Sequence, residues 1–471
     1  MSRKASLTKK IAHTLLAMSI VYSSGINIVV NEVYAAEKTE NITSSGGTFT
    51  ETGADGTDAS TSSPGPVTDG ESAAITGKIT DGNISNAIEV TATGGRGGDD
   101  TDPLSTITIG AKGGDAVAKV TVDESLSSVT TGNITVTANG GRNGTVYSVG
   151  KQVAGAAVAY GLEVKHDLAI TAADITVSAK SEFKYEGGGR KCDVNAAKHS
   201  GAVAAGLQVN GGTVVFNGTK IKVSALNNVI SNNGVEIVNA GTKKVADGGD
   251  AEAYGIRVTG GEVTATLTGE LKFGGVEGLL GGGLGSAASS GIGYAADGGA
   301  GGNAVAYGVA VDGGIAHLAL QNINAVDDSS SSTYISGGAG GGGSYGDTSI
   351  GGGNGGKGGK SDIVGVHIAS GKADGSIGTI NIRSNNQAVG GQGGNGDNCI
   401  SGFGGAGGDT YAAGISNEGG QAELTVAAIS INVESGAGGR LRDISLTSAT
   451  AAGAIQAAAG KGGEAATARL R

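Results

Sequence analysis

One nonapeptide in the sequence could bind calcium. GGAGGDTYA, residues 404–412, fits the pattern G-G-x-G-x-D-x-U-x, in which carboxylates and carbonyls from successive turns hold Ca²⁺. GGAGGNAVA, residues 298–306, fits the same pattern with Asn303 in place of the aspartate. Neither segment repeats every nine residues, as a calcium-binding roll requires, and one match among 93 glycines is weak support. We therefore predict no metal site and no cofactor.

Acid–base chemistry would need histidine or paired carboxylates. The histidines after residue 35 lie in unrelated sequence settings, and no H-E-x-x-H pair occurs. They are His166, His199, His317 and His367. We predict that each is a solvated surface side chain, that the protein has no catalytic residues, and that it is not an enzyme.

The two cysteines, Cys192 and Cys399, both lie in glycine-rich stretches. An exported protein tolerates disulfides, but two cysteines are too few for a disulfide scaffold. We predict two unpaired thiols without a role.

The elements that would position functional residues come from a repeated strand motif. It occurs as AVAYGLEV, AVAAGLQV, AEAYGIRV, AVAYGVAV, DIVGVHI and TYAAGIS. Alignment places in one column Gly161, Gly206, Gly255, Gly308, Gly365 and Gly414. An apolar column follows, with Leu162, Leu207, Ile256, Val309, Val366 and Ile415, and then a mostly polar one, with Glu163, Gln208, Arg257, Ala310, His367 and Ser416. This alternation predicts strands with one buried face and the polar column facing outward.

Glycine and tyrosine in this motif have predicted packing roles. We expect the column glycine to face away from the apolar column and to permit a bulge or the close approach of a connector. Tyr160, Tyr254 and Tyr307 are expected on the apolar side, as packing residues. Earlier copies of the motif are predicted at AVAKVTV, residues 116–122, and SNAIEV, residues 85–90.

A second landmark defines the repeating unit. The later strand of each copy begins its apolar run 14 to 16 residues after the column glycine, at Ile175, Ile221, Leu271, Ile323, Ile380 and Ile429. From there to the next column glycine the distance varies from 31 to 42 residues. A constant core with variable connectors is typical of a solenoid, whose coils must match while outer loops vary freely. We predict an all-β parallel β-solenoid with long glycine-rich connector insertions.

Two alternatives stay open at this point. NGG, TGG and DGG between the alternating runs also resemble hairpin turns, so stacked antiparallel hairpins would fit the pattern. The connectors, such as residues 337–360, bury little apolar surface and are predicted to be flexible, with glycine helices packed side by side as the alternative.

The N-terminus predicts export. Basic residues precede an apolar stretch from Ile11 to Val30, and Val33-Tyr34-Ala35 fits a cleavage site, so residues 1–35 are interpreted as a Sec signal peptide. An uncleaved membrane anchor is the alternative, although serine and glycine dilute the stretch. We predict a flexible N-terminal segment at residues 36–75 and the repeat-built solenoid, truncated at its C-terminus, at residues 76–471.

Composition limits the partners. Glycine is 93 of 471 residues, yet proline is 3, and no Gly-X-Y period exists, which excludes collagen. The net charge is −11; without residues 1–35, 28 basic and 42 acidic residues remain, a charge of −14. Such a chain should be repelled by nucleic acid and by anionic lipid, and no membrane span is predicted in the mature chain.

These features resemble the passenger regions of autotransporter adhesins. The resemblance is carried by the leader, the scarcity of cysteine, and AYGI or AYGV followed by GG and an I-x-V strand, as in residues 254–273 and 307–326. It covers about residues 76–471 and implies a right-handed parallel β-helix, displayed on a bacterium with an outer membrane and used for adhesion or aggregation. The C-terminal β-barrel of that family has no counterpart up to Arg471.

The function predicted from these observations is non-enzymatic. We expect a secreted, cell-surface adhesin that binds host or bacterial surface molecules, or further copies of itself, through an extended repeat surface. A glycine-rich structural protein of the cell envelope and a polysaccharide-active β-helix enzyme are the two alternatives.

Overall fold

The computed structural model describes residues 37–59, 67–99, 111–144, 153–183, 200–229, 238–239, 244–245, 247–278, 298–326, 335–340, 354–385, 405–434, 441–446, 450–451 and 468–470. These residues form strands and no helix. The strands are β1 (Lys38–Ile42), β2 (Gly47–Thr52), β3 (Ala73–Ile79), β4 (Ile88–Thr93), β5 (Ala116–Val122), β6 (Ser128–Thr131), β7 (Ile134–Gly140), β8 (Ala157–Val164), β9 (Leu168–Phe183), β10 (Ala202–Val209), β11 (Thr213–Val229), β12 (Val238–Asn239), β13 (Lys244–Val245), β14 (Ala251–Val258), β15 (Glu262–Glu277), β16 (Ala304–Val311), β17 (Ile315–Val326), β18 (Ile335–Ser336), β19 (Ser361–Ile368), β20 (Lys372–Asn385), β21 (Thr410–Asn417), β22 (Gln421–Glu434), β23 (Leu441–Leu446), β24 (Thr450–Ala451) and β25 (Ala468–Leu470).

Successive strands along the chain alternate between two large sheets. Sheet A has the order β1-β3-β5-β8-β10-β14-β16-β19-β21-β23-β25, and sheet B the order β2-β4-β7-β9-β11-β15-β17-β20-β22-β24. β6 and β18 pair at the side of sheet B with β9 and β15. Every described pair in the two sheets is parallel, and only the two-residue strands β12 and β13 pair antiparallel. The all-β prediction is confirmed, and stacked antiparallel hairpins are excluded as the basis of the large sheets.

The register confirms the repeat alignment. Leu207 pairs with both Leu162 and Ile256, and Ile221 pairs with both Ile175 and Leu271, so each landmark lies beside its equivalents. One earlier copy was misplaced: SNAIEV contributes β4 to sheet B, whereas β3 is the sheet A strand of that coil. The sheets also begin with β1 and β2, before the predicted boundary at residue 76, because both strands find parallel partners.

The core is mainly aliphatic, with Phe216 and Phe273 among its largest side chains, and lies between the two sheets. Alanines fill the inner face at the start of the sheet A strands, as in Ala159, Ala204 and Ala253, and larger aliphatic residues follow. Sheet B faces them with the isoleucine ladder that includes Ile175 and Ile221. These side chains are 0–1% exposed, so equivalent residues of successive coils bury one another, as stacking requires.

Glycines in left-handed conformation form the corners between the sheets. Gly212, Gly261, Gly314 and Gly371 have φ between 74° and 82°, a region that residues with a Cβ rarely adopt. NGG, TGG and DGG therefore turn the chain from sheet A to sheet B, rather than closing hairpins.

The described parts of the connectors are ordered, so the prediction of flexible connectors is wrong for them. Gly94 and Gly97 donate backbone hydrogen bonds to the carbonyls of Asn139 and Arg142. A spacing of three residues is typical of extended chains with three residues per turn. A Cβ on Gly95 would lie 1.9 Å from the carbonyl oxygen of Ala54, so only glycine allows this approach. The alternative of glycine helices packed side by side fits these contacts.

Side-chain acceptors connect these glycine segments. Oδ1 of Asp250 accepts the backbone N–H of Asn303 at 2.7 Å, and Oδ1 of Asn303 accepts that of Lys360 at 3.0 Å. Each coil thus holds the next one in place outside the sheets as well. No helix among the described residues is long and apolar enough to cross a membrane.

Candidate functional site

The column glycine decides which side chains share a face of sheet A. β5 and β8 pair at Lys119 with Tyr160 and at Thr121 with Glu163, so β8 has one extra residue between these positions. Gly161 lies in this bulge. A Cβ on Gly161 would lie 2.6 Å from Cγ2 of Ile175, so this glycine faces the core. The prediction that it faces away from the apolar column is wrong.

The bulge reverses the alternation of side chains. Gly161 and Leu162 both face the core, so Tyr160 and Glu163 both lie on the opposite face. The tyrosines therefore share the outer face of sheet A with Glu163 and its equivalents on the other strands, and their predicted position on the apolar side is wrong. They still have a packing role, because Tyr160 and Tyr254 belong to a separate hydrophobic cluster with Val158, Val203 and Ala205.

This outer face is buried, which corrects the prediction that Glu163 and its equivalents face outward and are exposed. Its residues are 0–8% exposed: Glu163, Gln208, Arg257, Ala310, His367 and Ser416. Polar side chains at this depth must find partners to offset the loss of water.

Arg257 is the centre of one buried polar cluster on this face. Its guanidinium lies 4.4 Å from the ring centroid of Tyr254, and its Nε donates to Oδ2 of Asp312 at 2.9 Å. The hydroxyl of Tyr254 donates to Oε2 of Glu252 at 2.8 Å. Burial, followed by the neighbouring Glu252 carboxylate, raises the pKa of Tyr254 well above its usual value of 10.

Tyr307 is the centre of a second cluster, on the next coils. Its ring stacks on His367 with a centroid distance of 4.5 Å, and its hydroxyl donates to Oδ2 of Asp362 at 2.8 Å. Oδ1 of Asp362 and Nδ1 of His367 are buried and make no hydrogen bond with a described residue. Burial raises the pKa of both Tyr307 and Asp362. For Asp362 the effect of burial outweighs the hydrogen bond from Tyr307, which by itself lowers the pKa of this carboxyl.

Glu163 anchors a third polar group at the N-terminal coils. Its carboxylate lies 3.1 Å from Nζ of Lys165 and 3.8 Å from Nζ of Lys119, and it accepts a hydrogen bond from Asn210 at 2.9 Å. Beside it is a pocket of about 360 Å³, lined by Lys78, Thr121, Val122, Asp123, Glu124, Glu163, Lys165 and His166. Its lysines are paired: Lys78 lies 2.6 Å from Asp123.

The exposed repeat surface is instead the outer face of sheet B. One column on this face is polar on nine successive strands, β2, β4, β7, β9, β11, β15, β17, β20 and β22. We call it the polar column; it consists of Thr48, Glu89, Thr135, Thr176, Lys222, Lys272, Asn324, Asn381 and Ser430. All nine side chains are exposed or half-buried. At about 4.8 Å per strand, the polar column is about 38 Å long.

Hydrogen bonds and ion pairs connect the residues of this face. Nδ2 of Asn381 donates to Oδ1 of Asn324 at 3.0 Å, and Asn324 donates to Oε2 of Glu270 at 2.9 Å. Glu270 also forms an ion pair with Lys220. The face therefore presents hydroxyls, amides, ammonium groups and carboxylates in a regular arrangement.

The residues singled out from the sequence have separate places. His166 lies at the pocket, His317 on sheet B and His367 on sheet A, so these three side chains do not form one site. Asp409 of the calcium-like nonapeptide pairs with Lys357 at 3.3 Å. Among the described residues, no group of three or more histidine, cysteine or carboxylate side chains is placed to hold a metal ion. Residues 1–36, His199, Cys192 and Cys399 lie outside the described residues.

Sequence reasoning missed the polar column although the signal was present. Each of its last six members directly follows a landmark residue, as Lys222 follows Ile221 and Asn324 follows Ile323. Attention to the polar residues after the column glycine led instead to a buried face.

Comparison with known proteins identifies no relative. No protein family model, no curated protein and no solved structure matches the chain. Among the surfaces described above, the polar column is the longest one that is both exposed and polar.

Proposed function

We propose that this chain is an exported, non-enzymatic protein of the bacterial cell surface that mediates adhesion or aggregation. We further propose that sheets A and B are walls of a right-handed parallel β-helix. The alternation of strands between two parallel sheets and the matched register of successive coils support this geometry. The apolar stretch after basic residues near the N-terminus supports export.

The observation that carries the proposal is the polar column. The polar column is exposed, so its side chains can contact a partner without disturbing the packed core. Because the column is long and regular, it offers several contacts to a partner of extended shape. Individually weak contacts of this kind add up when several form at once. A surface molecule with repeated polar groups is therefore the partner that this architecture suits.

Export and adhesion can be tested separately. A fusion of residues 1–50 to an alkaline phosphatase without its own leader should give activity outside the cytoplasm, and deletion of residues 11–30 should abolish it. Beads coated with the purified chain should bind cultured cells or aggregate with one another. Beads that neither bind cells nor aggregate would remove the adhesion proposal even where export is found.

A structural role in the cell envelope is the second candidate, favoured by the ordered glycine segments. Backbone hydrogen bonds such as Gly114 N–H to the carbonyl of Gly95, at 2.8 Å, connect successive connectors into one bundle. A rigid body of this kind would suit a spacer or wall component. Retention of the protein at the cell surface without binding to cells or matrix would favour this role.

A further inference from the structure

Two lysines of like charge lie directly opposite each other in the polar column. Lys222 on β11 pairs in register with Lys272 on β15. Like charges at such cross-strand positions destabilise a sheet. Glu270 forms an ion pair with Lys220 and is also close enough to Lys272 for that lysine to help lower its pKa, whereas Lys222 is exposed and forms no ion pair with a described residue. In a chain with a net charge of −11, this is an unexpected local excess of positive charge.

The residues on either side of the lysines are neutral, and the two asparagines among them form hydrogen bonds. Thr176 precedes Lys222 in the column, and Asn324 and Asn381 follow Lys272. Arg383, also exposed, extends the positive charge two residues beyond Asn381 on the same strand. The two lysines are therefore adjacent in the column, with hydroxyl and amide groups on either side along the direction in which the strands stack.

We propose that the polar column binds an acidic polysaccharide that lies along the stacking direction of the strands. Its carboxylates would lie between Lys222 and Lys272 and relieve their repulsion, and its hydroxyls would bond to Thr176 and Asn324. This assignment rests on the proposed binding function and names its ligand class. The partner is a polymer because a single exposed ion pair contributes little in water, whereas successive contacts along one chain act together.

The chemistry of the column distinguishes this ligand from other polymers. It contains no aromatic residue, so stacking on sugar rings or nucleobases supplies no affinity. Recognition by charge and hydrogen bonding should therefore weaken as ionic strength rises. Neutral glucans offer hydroxyls but no carboxylates and should bind much less.

The test measures binding of the purified full-length chain to immobilised polygalacturonate, dextran and a thymidine oligonucleotide. The chain should bind polygalacturonate, and the Lys222→Gln/Lys272→Gln double variant should bind it about tenfold less tightly. The control is Lys78→Gln/Lys165→Gln, which removes the same charge at the pocket beside Glu163 and should leave affinity within about twofold. Without ligand, the Lys222/Lys272 variant should unfold at the same or a higher temperature, because a repulsive pair is removed.

The opposing outcomes are equally specific. Equal loss in both double variants would mean a general charge effect and would overturn the proposal, as would equal binding of dextran or preferred binding of the oligonucleotide. If polygalacturonate does not bind while coated beads still adhere to cells, the ligand class is wrong and the adhesion function stands. If the beads also fail, the proposed function itself is lost.

Discussion

A Cβ atom on Gly255 would lie 2.5 Å from the carbonyl oxygen of Gly308 on the neighbouring strand, and 2.4 Å from Cδ2 of Leu271 across the core. Neither neighbour can move away freely, because one is backbone and the other is a fully buried side chain. We predict that Gly255→Ala lowers the free energy of unfolding by about 1–3 kcal/mol through overpacking. Urea unfolding followed by circular dichroism measures this loss.

Gly132→Ala provides the matched control for Gly255→Ala. A Cβ on Gly132 would be 3.5 Å from its nearest neighbour, the carbonyl oxygen of Asn86, which is an ordinary contact. We expect this variant to stay within about 0.5 kcal/mol of the parent chain. If Gly255→Ala were equally harmless, the column glycine would not be required by the bulge, and the register described for β14 and β16 would be in doubt.

The repeat register could be predicted from the sequence because like residues recur at nearly constant spacing. Gly161, Leu162 and Ile175 each have an equivalent in the later coils, and the paired strands place these equivalents side by side. Parallel pairing followed from the same recurrence, since antiparallel strands would not align identical positions. The constant spacing thus predicts which residues of successive coils lie side by side in each sheet.

The faces of sheet A could not be predicted from the same pattern. Period-two alternation assumes an unbroken strand, but the bulge at Gly161 moves Glu163 onto the face of Tyr160. The inserted residue is present in every later copy of the motif, so the apolar column after it still aligns between copies. The sequence pattern therefore does not show that a residue has been inserted. The order in the glycine segments was missed for a different reason: hydrogen bonds between backbones, as from Gly97 to Arg142, leave no trace in side-chain periodicity.

His317 should make stability depend on pH. Its Nδ1 lies 2.6 Å from Oδ1 of Asp374 and its Nε2 3.2 Å from Oε1 of Glu262, on the strands to either side. The hydrogen bond with Asp374 is the largest cause of a pKa raised above the ordinary 6.5. Because the folded-state pKa is raised, the protonated imidazole stabilises the folded chain. This stabilisation is fully present below about pH 6.5 and is lost as pH rises through the folded-state pKa.

The measurement compares unfolding midpoints at about pH 5.5 and 8.5, on either side of the ordinary histidine pKa of 6.5. Relative to His317→Gln, the free energy of unfolding of the parent chain should be larger at the lower pH than at the higher pH. This difference should be less than about 1 kcal/mol, because the His317 side chain is 37% exposed and screened by solvent. Identical pH profiles for the parent and His317→Gln would contradict the bridge.

The buried tyrosines should resist ionisation. Burial raises the pKa of Tyr160 to about 12 and those of Tyr254 and Tyr307 well above 10. We predict that at about pH 11 the folded chain shows between about two and three fewer phenolates than the denatured chain, out of 11 tyrosines. Because the folded state keeps these protons, stability should fall as pH rises above about 10.

Near-ultraviolet absorbance of the phenolate measures this titration, with circular dichroism to verify that the chain is still folded. Tyr254→Phe should reduce the difference between folded and denatured chains by about one phenolate, since its partner Glu252 disfavours ionisation of that hydroxyl. Titration of all tyrosines near pH 10 in a chain that remains folded would show that the outer face of sheet A is open to water.

Cys192 and Cys399 should remain free thiols, because the strands that precede them are far apart. Cys192 follows β9 and Cys399 follows β20, and these strands are separated by four steps in sheet B, about 19 Å at about 4.8 Å per step. A disulfide needs Cα atoms within about 7 Å. Drawing the two connectors together across three intervening coils would cost loop entropy that one bond does not readily offset. Thiol titration of the unreduced, denatured chain should therefore find two reactive groups. A stoichiometric intramolecular bond, mapped by peptide mass spectrometry without reduction, would show that these connectors leave their own coils and meet.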